Sequence, residues 1–274
     1  MGVVIVSRQV GSYGDEIAAL TAQKLNYELI GREKAHELAD ACDPDFKDAC
    51  RLYEREIPKS FWERFFLNNL AYASLFESLN YDVAARGNVV ILGRGAQIVL
   101  SGVPGVVKVR VVAPLDIRVD RVAKDQNMKR EQAEDFVHKY GHQRRALIQQ
   151  IYHRDLSDWS LYDMVLNTAA MTVEQGAELI QHAAKMMIPP PNRSEVKAFL
   201  QRQAQAKLLE SAIRKEVGAD AYRPIEVTSP KPSVMVITGH VGDKMVKEKV
   251  LKIARNFKGV SEVEDRLATT ALTF

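Results

Sequence analysis

The sequence predicts an α/β protein: a parallel sheet covered by helices on both faces, in three layers, followed by a small α+β unit. Three observations carry this. Val3-Val4-Ile5-Val6 and Val89-Val90-Ile91-Leu92 are continuous aliphatic runs rich in β-branched residues, the pattern of strands buried on both faces. Helical stretches separate these runs, and strands alternating with helices imply a parallel sheet. Pro189-Pro190-Pro191 cannot continue a helix and forms a stiff extended spacer, beyond which a second set of shorter patterns begins.

The elements follow in order. After the first strand, Ser7 to Gly14 is a short polar loop with Gly11 and Gly14, and Ile17, Leu20 and Leu25 recur at helical spacing. Tyr27 to Ile30 reads as a short strand, and a helix runs from about Gly31 to Asp40. The charged segment 43–59 is poor in large apolar residues and is expected outside the central core. A long helix is predicted over 61–85, where Phe61, Phe65, Tyr72, Phe76 and Leu79 share one stripe, read as core packing. After the Val89 run, Gly93-Arg94-Gly95-Ala96 leads into a short helix near 97–100. Val106 to Val112 alternates apolar residues with Lys108 and Arg110 and reads as a third strand. Helices follow over 116–125 and 129–152, a strand over 162–166, and an amphipathic helix over 172–187. Beyond the prolines come a helix over 195–217 and short strands at Ile225–Val227 and Val234–Thr238. A helix carrying Val246, Val250, Ile253 and Phe257 follows, then Gly259 and a last strand over 263–267.

Composition excludes several classes. The chain has 274 residues, 46% hydrophobic and 27% charged, which describes an ordinary globular protein with a sizeable core. Its formal net charge is only +3, so no chain-wide basic field points to nucleic acid. The two cysteines, Cys42 and Cys50, form no metal-binding spacing and read as free thiols. No run approaches the roughly 20 apolar residues needed to span a bilayer. The first strand begins almost at once, which leaves no room for a signal peptide. A cytoplasmic protein is expected.

In an open parallel sheet, ligands bind beyond the carboxyl ends of the strands. The loop Ser7 to Gly14 is expected there. Strand, glycine loop and helix together point backbone N–H groups and a helix N-terminus at a phosphate. Equally, they form a turn that needs glycine only for its geometry. The regular phosphate-binding pattern GxxxxGK[ST] is not met. With its second glycine on Gly14, Gln9 takes the first glycine, Asp15 the lysine and Glu16 the hydroxyl residue. Arg8 either replaces part of the missing charge or pairs with Asp15 or Glu16. Arg94, between two glycines after a buried strand, is a candidate for bidentate phosphate recognition or for pairing with a carboxylate. From Lys129 to Arg154 the chain carries Lys129, Arg130, Lys139, Arg144, Arg145 and Arg154. This is either a solvated charged helix pair or a lid that brings arginines to a transferring phosphoryl group.

The first 187 residues resemble the cytidylate kinase-like family, a branch of the P-loop nucleoside monophosphate kinases. The matching pieces are Ile5-Val6-Ser7-Arg8-Gln9 with Gly11-Ser12-Tyr13-Gly14-Asp15-Glu16-Ile17, then Gly93-Arg94-Gly95-Ala96. Ala113-Pro114-Leu115 with Arg118 and Arg121, the pair Arg144-Arg145, and Ser160 to Thr168 follow in order. The resemblance implies a three-layer P-loop kinase-like fold and transfer of phosphate from ATP, with Mg²⁺, to CMP or dCMP. On that reading Arg8, Gly11, Ser12, Tyr13 and Gly14 hold the ATP phosphates, and Arg94 holds the acceptor. Arg144, Arg145 and Arg154 close over the transfer. Ser12 is the candidate hydroxyl for the metal. With no loop lysine, the alternative is a nucleotide-binding regulatory protein with weak turnover or none.

The last part resembles the BON domain, through Ile225-Glu226-Val227, Val236-Ile237-Thr238-Gly239-His240-Val241 and Gly259-Val260-Ser261-Glu262-Val263. The expected organisation is a kinase-like domain over 1–187, a Pro-rich linker and helix start over 188–203, and a BON-like domain over 204–274. The resemblance implies a docking or sensing module whose partner is a protein, a small ligand or a phospholipid surface.

Overall fold

In the computed structural model, residues 2–42, 62–187, 193–217 and 221–269 are described. The expectations for segment 43–59, the Pro189–Pro191 spacer, Cys50 and the side chains of Cys42, Phe61, Phe65 and Tyr72 lie outside the described residues. The chain divides into two compact units: residues 1–34 with 86–196, and residues 35–85 with 197–274.

The first unit is built on a five-stranded parallel sheet of order β2-β3-β1-β4-β5, with β1 Val3–Arg8, β2 Glu28–Ile30, β3 Val89–Leu92, β4 Val106–Val112 and β5 Met164–Asn167. The first strand lies in the middle because it is apolar on both faces: Val4, Ile5 and Val6 are wholly buried. Helix α1 (Gly14–Leu25) lays Ile17, Ala18 and Ala22 on the sheet, in one cluster with Val4, Val6, Val107, Val109 and Ile180. Ala18 and Ala22 fall one turn apart with Ile17 beside them, so a single face of the helix is covered. Burying a side chain such as Ile17 contributes about 1.5–3 kcal/mol. Helix α2 is Arg32–Cys42, α3 Trp62–Arg86 and α4 the single turn Ala96–Val99. Then α5 (Leu115–Asp125) and α6 (Arg130–Tyr152) pack through Val119, Val122, Ala133 and Val137. A 3₁₀ turn at Trp159–Leu161 precedes β5, and α7 (Val173–Met187) closes the unit. The strand expected from Tyr162 therefore starts later, at Met164, because the 3₁₀ turn occupies its approach.

The second unit holds α8 (Arg193–Val217), β6 (Ala221–Thr228), β7 (Val234–Val241), α9 (Lys244–Arg255) and β8 (Glu262–Thr269). Its sheet, β6-β7-β8, pairs β6 with β7 antiparallel and β7 with β8 parallel. A helix crossover is what a parallel pair requires, and α9 supplies it. Asp243 caps α9 by accepting from Val246 N at 2.9 Å. From α8, Ala206, Leu209, Ile213 and Val217 reach the core beside Val227, Met235 and Ile237. The same unit takes in residues 35–85, where Ala39, Leu75, Phe76 and Leu79 form a further buried cluster.

In that unit a buried carboxylate organises polar groups. Glu210, wholly inaccessible, accepts from Val227 N at 2.8 Å and from Ser74 Oγ at 2.8 Å. It pairs with Lys207 and Arg214, each at 3.0 Å, and Lys207 also pairs with Glu77 at 3.0 Å. Burial raises the Glu77 carboxyl above the usual range, against the pull of Lys207. Burial works against the Lys207 ammonium, but Glu210 and Glu77 hold it above its ordinary value.

Candidate functional site

The loop after β1 is pinned from several sides. Gly11 has φ +75°, and a Cβ there would lie 2.5 Å from Arg118 O. Glycine is therefore needed both for the turn and for the close approach. Tyr13, just before α1, is also left-handed at φ 59°. Arg121 lies 4.2 Å from the Tyr13 ring centroid and reaches Thr168 Oγ1 at 2.9 Å and Thr168 O at 2.6 Å. Such a cation–π contact compensates part of the cost of a left-handed non-glycine residue.

The helix begins at Gly14 and the left-handed residue before it is Tyr13. The register that fits this geometry places GxxxxGK[ST] one residue earlier than the sequence suggested. Arg8 then stands at the first glycine, Tyr13 at the second, Gly14 at the lysine and Asp15 at the hydroxyl residue. The loop has no lysine in either register.

Ser12 requires a correction. It is wholly buried, with Oγ 2.7 Å from Gln9 O and 3.3 Å from Val111 O, and its N–H donates to Gln9 O at 3.3 Å. A hydroxyl turned inward onto carbonyls does not face a metal. Ser12 shapes the loop instead.

Beside the loop is a cavity of about 180 Å³ lined by Arg8, Arg110, Arg118, Arg144 and Arg145, with Gln9, Leu115 and Leu156 among its other walls. These arginines come from the end of β1, from β4, α5 and α6, so the topology converges them at the carboxyl end of the sheet. Arg110 donates to Ser7 Oγ at 2.6 Å and is itself buried. Arg118 donates to Ala113 O at 2.9 Å, and Arg144 to Arg8 O at 2.9 Å. Among the described residues, none of Arg110, Arg118, Arg144 and Arg145 forms an ion pair with a carboxylate. Arg8 alone is paired, to Asp15 at 2.7 Å.

Unmatched cations close together repel, and burial adds to that cost. The Arg144 guanidinium is pulled down to about 10 by burial and then by Arg8. Arg118 is lowered by burial, then by Arg145 and Arg110; Arg110 is lowered by burial in the first place, with Arg8 and Arg145 adding to it. All remain cations at neutral pH. An anion in the cavity would supply the missing charge, and guanidinium forks suit phosphate oxygens. The volume is smaller than a whole-ligand pocket of roughly 300–1,000 Å³, which suits the phosphate end of a ligand.

Two expected residues are not brought into this cavity. Arg94 has φ 57° and donates to Gly31 O and Arg32 O, each at 3.1 Å, on the far side of β3 where β2 ends. Arg154 is exposed beyond the left-handed end of α6 at His153 and does not line the cavity. Arg110 and Arg118 line it but were not picked out as site residues by sequence. The available signal was Arg110, a charge within an apolar strand that should be buried on both faces.

Magnesium takes one or two carboxylates together with substrate phosphates. Glu16, exposed in the first turn of α1, fits that requirement, whereas Asp15 beside it is paired with Arg8. Among the described residues no group of three His, Cys, Asp or Glu side chains is placed to hold a metal alone, and no helix is long and apolar enough to cross a membrane.

The comparisons with known proteins agree with this architecture. A profile of the cytidylate kinase-like family matches residues 3–170, and a BON domain profile matches residues 205–271. The cytidylate kinase of Staphylothermus marinus is 32% identical over 103 residues, which is 37% of this chain and 56% of that protein. The cytidylate kinase of Methanocaldococcus jannaschii is 30% identical over 104 residues, 37% of this chain and 58% of that protein. The chain thus spans little more than half the length of these relatives. The crystal structure of an uncharacterised protein from Eubacterium ventriosum superposes with a TM-score of 0.51 at 17% identity, covering 68% of this chain and 99% of that one. That likeness concerns the fold alone. The profile match extends over more than half of the sequence, and the chain belongs to the cytidylate kinase-like family, with a BON domain following the kinase-like part.

Proposed function

We propose that this protein is a nucleotide phosphotransferase that moves the γ-phosphate of ATP, with Mg²⁺, to CMP or dCMP. The observation that carries the reading is the arginine-lined cavity at the carboxyl ends of β1 and β4. Phosphoryl transfer asks a protein mainly to position groups and to neutralise charge on the transferring oxygens, which clustered guanidinium groups do. Arg8 and the backbone of Gly11, Tyr13 and Gly14 bind the ATP phosphates, and Arg144 and Arg145 face the transfer. Glu16 would hold the Mg²⁺ that accompanies the nucleotide and lowers the charge on its phosphates. Arg94 holds the acceptor only if its side chain leaves the carbonyls of Gly31 and Arg32. Arg154 would need a comparable movement.

The other reading, a nucleotide-binding regulator without turnover, drew its support from two acids standing at the helix entrance. Asp15 directs its carboxylate onto Arg8, which weakens that support. In this reading the BON domain is the docking or sensing module, and the use of ATP goes with a cytoplasmic protein.

A coupled assay with ATP, Mg²⁺ and a panel of nucleoside monophosphates tests this. Turnover of CMP or dCMP that falls sharply in Arg144→Ala is the expected result. ATP binding by calorimetry without turnover of any acceptor would overturn it in favour of the regulator.

A further inference from the structure

We infer that Arg8 performs the phosphate-binding work of the missing loop lysine, and that residues 8 and 14 have exchanged a side chain for a glycine. This rests on the phosphotransferase reading and deepens it. In the register set by the start of α1, the regular motif has glycine at position 8 and lysine at position 14. This chain has the reverse, Arg8 and Gly14.

The geometry shows why the two positions are coupled. A Cβ at Gly14 would lie 2.3 Å from Arg8 Cβ and 2.8 Å from Arg8 Cγ. No side chain at position 14 can coexist with the Arg8 stem, and the stem runs through the space where a side chain at position 14 would start. Gly14 has no positive φ, so its glycine is explained by this overlap and not by the backbone. Further out, a Cβ at Gly93 would lie 2.6 Å from Arg8 Nη1. The arginine therefore passes over one glycine and ends beside another, in the wall of the cavity. Its fork is held by Asp15, with Nε at 3.1 Å and Nη2 at 2.7 Å from Oδ1. A cation is thus delivered to the phosphate loop from the end of β1 instead of from the first turn of α1.

The test uses the full chain and ATP as the titrant. Arg8→Gly should weaken ATP binding by about 10- to 100-fold, the scale of a lost charge-assisted hydrogen bond. Arg8→Gly with Gly14→Lys, which recreates the regular arrangement, should recover most of that loss. Melting temperatures test the steric half without nucleotide: Gly14→Ala should destabilise the wild type but be tolerated in the Arg8→Gly background. Arg8→Gly binding ATP as tightly as wild type would overturn the inference. So would a folded double variant that binds no better than Arg8→Gly. If the double variant does not fold, the Gly14→Ala melts decide, and equal destabilisation in both backgrounds overturns the exchange. Failure of the wild type to bind ATP overturns the phosphotransferase reading itself, and is visible before any variant is made.

Discussion

Two clusters of buried charge, one in each unit, are built on opposite terms. In the second unit Glu77 and Glu210 face Lys207 and Arg214, and Glu210 also collects Val227 N–H and Ser74. Acid and base are matched, and the network needs nothing from outside. In the first unit five arginines line one cavity and a single carboxylate, Asp15, pairs with one of them. Arg118 and Arg144 lean on backbone carbonyls and Arg110 on the Ser7 hydroxyl. Burial therefore distinguishes a structural site from a functional one less well than charge balance does. A balanced cluster ties elements together, whereas an unbalanced one keeps a place for a counter-charge.

The contrast breaks or sharpens under mutation. The largest effect on stability is expected from Glu210→Ala, which leaves two cations, Lys207 and Arg214, to the single carboxylate of Glu77. Breaking a buried pair from one side costs about 3–5 kcal/mol, read as a lower urea midpoint. If that variant is as stable as wild type, the second cluster is not structural. In the cavity the expectation reverses. Arg144→Ala should lower phosphotransfer by about 100- to 1,000-fold, because charge aimed at the transferring group is lost. Its urea midpoint should change little or rise, since it removes a buried, repelled cation.

A third measurement compares the clusters through ligand. ATP at about 100 times its dissociation constant should stabilise the wild type by about 2.7 kcal/mol. This stabilisation should shrink in Arg110→Gln and persist in Lys207→Met if that variant folds. Equal loss in both would place the nucleotide elsewhere. The smallest effect concerns pH. Burial raises the folded Glu77 carboxyl above its unfolded value, so the native state binds more protons in the window between the two. Stability should be full below the unfolded value and fall as pH rises through the folded one. Glu77→Gln should flatten that slope in urea melts taken across the acid range.

Much of this was legible in the chain. The uninterrupted apolar runs at Val3 and Val89 located strands that the structure buries on both faces. Lys108 and Arg110 within an apolar alternation marked β4, and the Val246, Val250, Ile253 and Phe257 spacing marked α9. Arg8, Arg144 and Arg145 were named from the loop and the basic segment, and all three line the cavity. Ser12 reads as a candidate metal hydroxyl because a loop hydroxyl carries no sign of which way it points, and its Oγ turns onto the carbonyls of Gln9 and Val111. Arg94 was expected at a ligand, but its left-handed backbone turns the side chain to carbonyls near β2. The buried Glu210 was unreadable. An acid in a helix full of lysine and arginine looks like a solvated face until Ser74 and Val227 are known to meet it.

The sequence by itself determined the order of elements, the parallel sheet of the first unit, the small α+β unit after it and the absence of a loop lysine, because periodicity and local composition act over a few residues. Only the tertiary structure decided that residues 35–85 join the second unit, that Arg110 and Arg118 meet Arg144, and that Arg8 occupies the space in front of Gly14. Those facts depend on which side chains compete for the same volume. Excluded volume and charge balance are settled between residues far apart in the chain, so the meaning of the first phosphate loop became readable only once its neighbours were in place.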